Sequence, residues 1–470
     1  MQERGVLLHI SSLPSPHGIG SLGKAAYDFV DYLAAAGFRY WQMLPIGPTG
    51  YGDSPYQTFS AFAGNPYFID LDLCVGDGLT GGRALPEYDF GSGEYIDYGK
   101  LFENRIPALR FIYDCGKYDK AGCDIFARQN GDWLENYALF AALKIRFGHL
   151  PWNKWDGTMR NAQFYSEDLA DEINFQKFVQ YLFFSQFGRL RAYAREKGVS
   201  LIGDIPIYCG YDSADVWGNP QLFDLGENFE MKEAAGVPPD YFSKKGQYWG
   251  NPLFDWPRHK ADGYKWWISR IAHGLSLFDI LRIDHFRGFE SYYAVPVTQG
   301  KGGDARKGVW KKGPGMDLFG AVNRELNNPR IIAEDLGEIT PEVKALIKAA
   351  GYPGMRVLQF AFDGNPANPH LPCNFKEPCV VYTGTHDNMT AKGWYGSRTA
   401  AQKKIIRKAI GYDGKKHKSI ARALIETAFN SAADIAIVPM QDLLNYGNEA
   451  RMNRPSKPQG NWQWRMSNIP

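Results

Sequence analysis

Cysteine is scarce in this 470-residue sequence: there are six, at 74, 115, 123, 209, 373 and 379, and no C-x-x-C pair. That spacing gives neither a disulfide framework nor a structural zinc site, so reduced, buried thiols are expected. No apolar run approaches the roughly 20 residues that a membrane-spanning helix needs. The opening MQERGVLLHI carries an early acid and too short an apolar stretch for a secretion signal, so a soluble cytoplasmic protein with no membrane partner is expected. An excess of one charge is missing too. The 53 Lys+Arg against 51 Asp+Glu leave +2, which supplies no broad field for nucleic acid or a polyanionic substrate. The nucleophile elbow G-x-S-x-G, the zinc motif H-E-x-x-H and the P-loop pattern are all absent, as are H-x-H pairs among the nine His. Tandem repeats are lacking as well, since the WGNP at 217–220 and 249–252 is too short to mark a duplication.

What is present in excess is aromatic: 13 Trp, 27 Tyr and 29 Phe, beside 51 Gly. Short Val/Ile-rich runs alternate with stretches of helical period, the pattern of a parallel α/β fold. Strands are expected at 5–10, 40–44, 201–207, 280–284, 331–334, 355–361, 380–383 and 435–440. Helices fit at 25–36, 176–196, 265–275, 341–350 and 401–409. Eight strands favour a closed (β/α)8 TIM barrel over an open sheet. Two segments interrupt the alternation. Residues 72–175, with a helix-like piece at 133–147, are too long for a connection and read as an inserted, mostly helical subdomain. Residues 209–260, dense in aromatics, Gly, Pro and Asn, read as a long, shaped, aromatic substrate loop or subdomain. The barrel itself is then built from 1–71, 176–208 and 261–470.

GIGSLG at 18–23 matches G-x-G-x-x-G before a helix, but seven residues with Pro14 and Pro16 separate it from the first strand. The second strand ends in Leu44-Pro45, with no acid for a ribose. An ordinary loop fits better than a nucleotide site. Four strands end in or near carboxylates instead: LIGDIPIY (Asp204), LRIDHFRGF (Asp284), IIAEDLGE (Glu334 and Asp335) and VVYTGTHDN (Asp387). A single strand-end Asp is often a helix cap or an arginine partner. In a barrel, though, strand C-termini converge on one mouth, so acids some 50 positions apart in sequence can become neighbours. Carboxylates gathered without a metal motif suit glycosidic chemistry, one acid protonating the leaving oxygen while another attacks or stabilises the anomeric carbon. A sugar also offers apolar C–H faces for aromatic stacking and a hydroxyl rim for polar groups. Aromatic and polar residues are mixed in this way in 47–67, 215–224, 247–256 and NWQW at 461–464. Tyr51, Tyr56, Trp217 and Trp249 are candidate platforms, set against ordinary core packing. Asp53, Ser54 and Asn251 supply polar edges, and His285 and His386 adjoin candidate acids.

Taken together, RGVLLHISSLPSPHGIGSLG, WQMLPIGPTGYGDSPYQTFSAFAGNPYFIDL, LIGDIPIY, LRIDHFRGF, AEDLG, TGTHDN and NWQWR closely resemble the 4-α-glucanotransferases of glycoside hydrolase family 77, in the α-amylase clan. The resemblance runs over almost the whole chain. It implies Asp284 as nucleophile, Glu334 as general acid/base and Asp387 as transition-state stabiliser, with Asp335 secondary; the residues alone do not choose between Glu334 and Asp335. It further implies that Asp204, His285 and His386 shape the sugar subsite and that Arg282 orients Asp284. The implied substrates are α-1,4-glucans (maltooligosaccharides, starch or glycogen fragments), with no cofactor and no metal. The chain would act as a monomer or homodimer. Retention requires the Asp284 and Glu334 carboxyls to lie about 5–5.5 Å apart. Transfer requires a sugar acceptor at about millimolar to outcompete water at ~55 M, a handicap of roughly 6–7 kcal/mol that acceptor orientation must offset. The same acids on the same barrel would also serve an α-glucan hydrolase, and the aromatic platforms alone a silent glucan-binding protein. Family members usually continue past NWxWR with a further helix, whereas this sequence stops at Pro470, so closure of the last barrel segment is the element least expected to be complete.

Overall fold

The computed structural model describes residues 2–50, 52–91, 93–157, 167–239, 244–298, 302–455, 457 and 459–470. Its strands, in chain order, are β1 (Glu3–Leu7), β2 (Tyr40–Gln42), β3 (Ser200–Ile205), β4 (Glu233–Val237), β5 (Gln247–Pro252), β6 (Ile280–Ile283), β7 (Ser291–Thr298), β8 (Gly302–Gly303), β9 (Val309–Lys312), β10 (Ile331–Ala333), β11 (Gly354–Val357), β12 (Cys379–Tyr382) and β13 (Ile435–Pro439). Eight of them form a parallel sheet in the order β10-β6-β3-β2-β1-β13-β12-β11. Its two ends meet where the Ala333 N–H donates to Pro353 O at 2.9 Å, so the sheet curls into a nearly closed barrel. Each strand expected for the barrel is there. Most stop one to four residues early because the chain turns as it leaves the mouth: Leu358–Phe360, expected as strand, is a 3-10 turn. The last strand, β13, pairs with both β1 and β12, which closes the seam in question.

The strands are short and mostly buried, which is why several of them read as Val-, Ile- and Leu-rich runs. Helices cover the outside: Lys24–Ala35, Ala170–Glu196, Lys265–Leu277, Pro341–Ala350 and Ala400–Ile410. Pro341–Ala350 shows how local chemistry sets such boundaries. Thr340 caps its start, Pro341 occupies the first position, and Gly351 in the left-handed conformation (φ 77°) ends it. The long Ala170–Glu196 helix begins six residues before the expected 176. Against it pack Tyr98–Asp114, Lys120–Gln129 and Gly131–Arg146, with Trp133 meeting Phe184 at 5.7 Å and the barrel-helix residue His273 at 5.5 Å.

The region 209–260 is not simply a loop. It contains a short helix, Ala214–Gly218, and strands β4 and β5, which join β7, β8 and β9 in a small antiparallel sheet beside the barrel mouth. EAAGV and QYWGNP hide their strand character because neither alternates apolar with polar. The glycines of GIGSLG serve packing: a Cβ on Gly20 would lie 1.9 Å from Ile10 O, and Gly18 has a φ of 77° against the Phe90 carbonyl. All six cysteines are free; five are buried as expected, and Cys373 is exposed.

Candidate active site

The acids are gathered by register. In β6 and β10, Ile283 pairs with Ala333, so Asp284 and Glu334 each stand one residue beyond neighbouring parallel strands. The Glu334 N–H donates to Ile283 O at 3.1 Å, and the Phe286 N–H to Glu334 O at 3.1 Å, locking the two strand ends side by side. One strand over, Asp204 of β3 pairs with Arg282 of β6. Alternation along β6 then puts Arg282 and Asp284 on one face. The Arg282 guanidinium uses that placement fully. One nitrogen donates to both oxygens of Asp204, at 2.8 and 2.6 Å, and another contacts Asp284 Oδ1 at 2.8 Å. Burial raises the Asp204 pKa, and Arg282 works against that rise. The side chains of Asp204 and Arg282 are 0% and 5% exposed, that of Asp284 28%, so Asp284 is the most open of the three.

Glu334 lives in a different environment. The His285 and Leu336 N–H groups donate to its two oxygens at 2.7 Å each. Burial, followed by the charge of Asp284, nonetheless pushes its pKa up to about 8. Asp335, one residue on, points away: it accepts from the Met355 N–H at 2.6 Å and pairs with Arg356 at 3.0 Å. The structure therefore separates two acids that adjacency in sequence could not.

Asp387 arrives from the loop after β12. Asn453 Nδ2 donates to its Oδ1 at 2.6 Å, Arg451 donates to its carbonyl at 2.6 Å, and His386 Nε2 stands 3.3 Å from the same carboxylate. Tyr56 closes the floor: its hydroxyl donates to Asp204 at 2.8 Å, and its ring stacks on His386 at 5.0 Å and 19°. Trp249 stands edge-on to His285 at 4.9 Å and 84°. His285 itself holds the left-handed conformation at φ 50°, and burial pushes its pKa down to about 4. Asn251 donates to Cys209 O at 2.8 Å and accepts from Gln57, which fixes the loop that carries Trp249.

Two cavities meet on these groups. The first, about 390 Å³, is lined by Ser54, Tyr56, Asn251, His386 and Trp462 among others; the second, about 740 Å³, by Arg282, Glu334, Leu336, Gln359 and Arg398 among others. Asp284, His285, Asp387 and Trp249 line both. Three expected substrate contacts are placed elsewhere or not at all. Trp217 is 1% exposed and packed on Phe140 and Trp155, because its short helix lays its apolar face on Gly131–Arg146; it is core, not a platform. Asp53 lines neither cavity, and burial pushes its pKa up to about 6. Tyr51 lies outside the described residues. Conversely, Asn453 and Arg451 were not anticipated, although RMNRP at 451–455 is separated from NWQWR by only five residues. Trp462 of that motif tilts onto Tyr56 at 6.0 Å and His386 at 5.9 Å. Among the described residues no group of His, Cys, Asp and Glu could hold a metal ion, and no helix is long and apolar enough to cross a membrane.

The chain as a whole is similar to known proteins. The sequence model of the family described as 4-alpha-glucanotransferase matches residues 8–469. The 4-alpha-glucanotransferase of Clostridium butyricum is 44% identical over 97% of this chain and 95% of its own length. That of Streptococcus pneumoniae is 46% identical over 99% and 93%. Among solved structures, amylomaltase from Streptococcus agalactiae in complex with acarbose superposes with a TM-score of 0.93 at 36% identity, covering 99% of this chain and 95% of that one.

Proposed function

The chain belongs to the 4-alpha-glucanotransferase family, glycoside hydrolase family 77, and from that premise we propose how its own residues transfer α-1,4-glucan segments from a donor to the 4-hydroxyl of an acceptor glucan or glucose. Asp284 is the nucleophile: a carboxylate oxygen attacks the anomeric carbon as the glycosidic C–O bond breaks. Glu334 gives its proton to the departing oxygen, so the shortened glucan leaves as an alcohol and the remainder stays as an ester of Asp284. The acceptor 4-hydroxyl then loses its proton to Glu334 and attacks the same carbon, which frees Asp284 and retains the anomeric configuration. Asp387 lies beside the positive charge that develops at the sugar ring in both steps.

The observation that carries this reading is the contrast between the neighbouring acids. Asp284 is ion-paired to Arg282 in a partly open cleft, whereas Glu334 is buried and raised toward the protonated form. Two acids whose surroundings push their protonation apart can play nucleophile and acid at one bond. Tyr56, Trp249 and Trp462 provide flat faces along the cleft, and Asp204 holds Arg282 and Tyr56 from below. The Streptococcus agalactiae amylomaltase carries acarbose, and we extend an oligosaccharide ligand of α-glucan type, from starch, glycogen or maltodextrin, to this cleft. We place the reaction in the cytoplasm.

Incubation with maltotriose tests the reading. Glucose together with a ladder of longer chains is expected, while glucose and maltose without longer products would mean hydrolysis. Asp284→Asn with undiminished activity would contradict the assignment of the nucleophile.

A further inference from the structure

The cleft does not end at the catalytic acids. The acid that protonates the leaving oxygen, Glu334, lines only the larger cavity, so on the mechanism above the leaving group and the incoming acceptor occupy that side. Arg287 and Trp310 line the same cavity. Trp310 comes from β9 of the small sheet, and at 40% exposure it is unusually open for so large an apolar side chain. It is nevertheless held in place: the Arg287 guanidinium lies 3.9 Å from its ring centroid, and Tyr293, opposite on β7, meets its edge at 5.0 Å. Arg287, three residues after Asp284, is itself only 7% exposed and donates to Glu338 O at 2.7 Å. Its Nε has no partner among the described residues. Beyond this pair a second cavity of about 240 Å³ continues, sharing Arg287, Trp310 and Glu338 with the first and adding Ser291, Thr340 and Glu342.

A flat ring fixed by a cation, standing where two cavities join and rimmed by hydroxyl and carboxylate groups, has the chemistry that receives a sugar: a C–H face to stack and hydroxyls to satisfy. We propose that Trp310 and Arg287 form a distal acceptor subsite that binds a glucose unit remote from the reacting 4-hydroxyl, and so favours longer α-1,4-glucans as acceptors. The proposal rests on the transfer reaction above and deepens it. The acids and Trp310 share the cavity of about 740 Å³, with a further 240 Å³ beyond, which is room for more than one glucose unit, so on this proposal the subsite acts on the ratio between long and short acceptors rather than on the bond-making step.

The test uses the full chain and a maltoheptaose donor blocked at its non-reducing 4-hydroxyl, which can donate but cannot accept. For wild type, Trp310→Ala, Trp310→Leu and Trp310→Phe, kcat/KM is measured with maltopentaose and with glucose as acceptor. The maltopentaose-to-glucose ratio should fall about tenfold in Trp310→Ala and Trp310→Leu, mostly through KM, and return in Trp310→Phe. Leucine keeps apolar cover over Arg287 without a flat face, so it separates stacking from support of the Asp284 loop. An unchanged ratio in the alanine and leucine variants overturns the subsite, whether or not total activity falls. Absence of any acceptor-dependent product from wild type would instead count against transfer itself.

Discussion

Replacing Arg282 by Met is the sharpest probe of how the site is held. The guanidinium makes three charge-assisted contacts, two to Asp204 and one to Asp284, with Asp204 fully shielded from solvent. Without it, Asp204 keeps the Tyr56 hydroxyl but no cation among the described contacts, and the nearby charge of Asp284 is left uncompensated. Removing one partner of a buried ion pair costs about 3–5 kcal/mol. With an unfolding entropy of roughly 2.1 cal/mol/K per residue, 470 residues give about 1 kcal/mol per degree, so Tm should fall by roughly 3–5 °C near pH 7. Loss of the orienting bond to Asp284, worth about 1.5–3 kcal/mol, should lower kcat by about 10- to 150-fold. The sign of the pH dependence follows from Asp204. Burial already raises its folded pKa, and loss of Arg282 raises it further. A carboxyl whose folded pKa lies above its unfolded value costs stability once ionised, and protonation relieves that cost. The Tm deficit of Arg282→Met should therefore be larger at pH 8 than at pH 5. Arg282→Lys, which keeps the charge but not the fork, should fall between. Calorimetry at the two pH values and glucose release from maltotriose read both effects. A variant whose Tm is unchanged at each pH and whose kcat stays within twofold would refute the reasoning.

Glu334→Gln should lower kcat by about 10²–10⁴-fold. In wild type the rate should decline as pH rises through about 8, where Glu334 gives up its proton, and a rate–pH profile of the residual activity of Glu334→Gln should lack that alkaline limb. Trp217→Ala should behave as a core truncation, lowering stability by about 3–5 kcal/mol in thermal melts while leaving KM for maltotriose near wild type. Trp249→Ala, at the junction of both cavities, should raise that KM about tenfold with a much smaller change in Tm, and the reverse pattern for the pair would contradict their placement. Asp335→Asn should disturb the ion pair with Arg356 and reduce Tm measurably, yet leave the product ladder of maltotriose intact; loss of transfer with an unchanged melt would return Asp335 to the chemistry.

Barrel strands such as Cys379–Tyr382 and Ile435–Pro439 were legible because a strand buried on both faces tends to be a short, mostly apolar run, whatever surrounds it. The acids that follow those strands were equally visible, since in this architecture the C-terminal end of a strand has one destination. The antiparallel sheet of β4, β5 and β7–β9 was not, because EAAGV and QYWGNP owe their extended form to cross-strand partners far along the chain rather than to their own pattern. What tertiary structure alone decided is direction. It turned Glu334 into the cleft and Asp335 toward Arg356, set Trp249 at the cavity and Trp217 in the core, and brought Asn453 onto Asp387 across 66 positions. Composition and period report which residues are apolar and how often they recur. Which of two adjacent acids, or of two tryptophans in the same WGNP, meets the substrate depends on the neighbours that occupy the other side, and those are fixed only when the whole chain has closed.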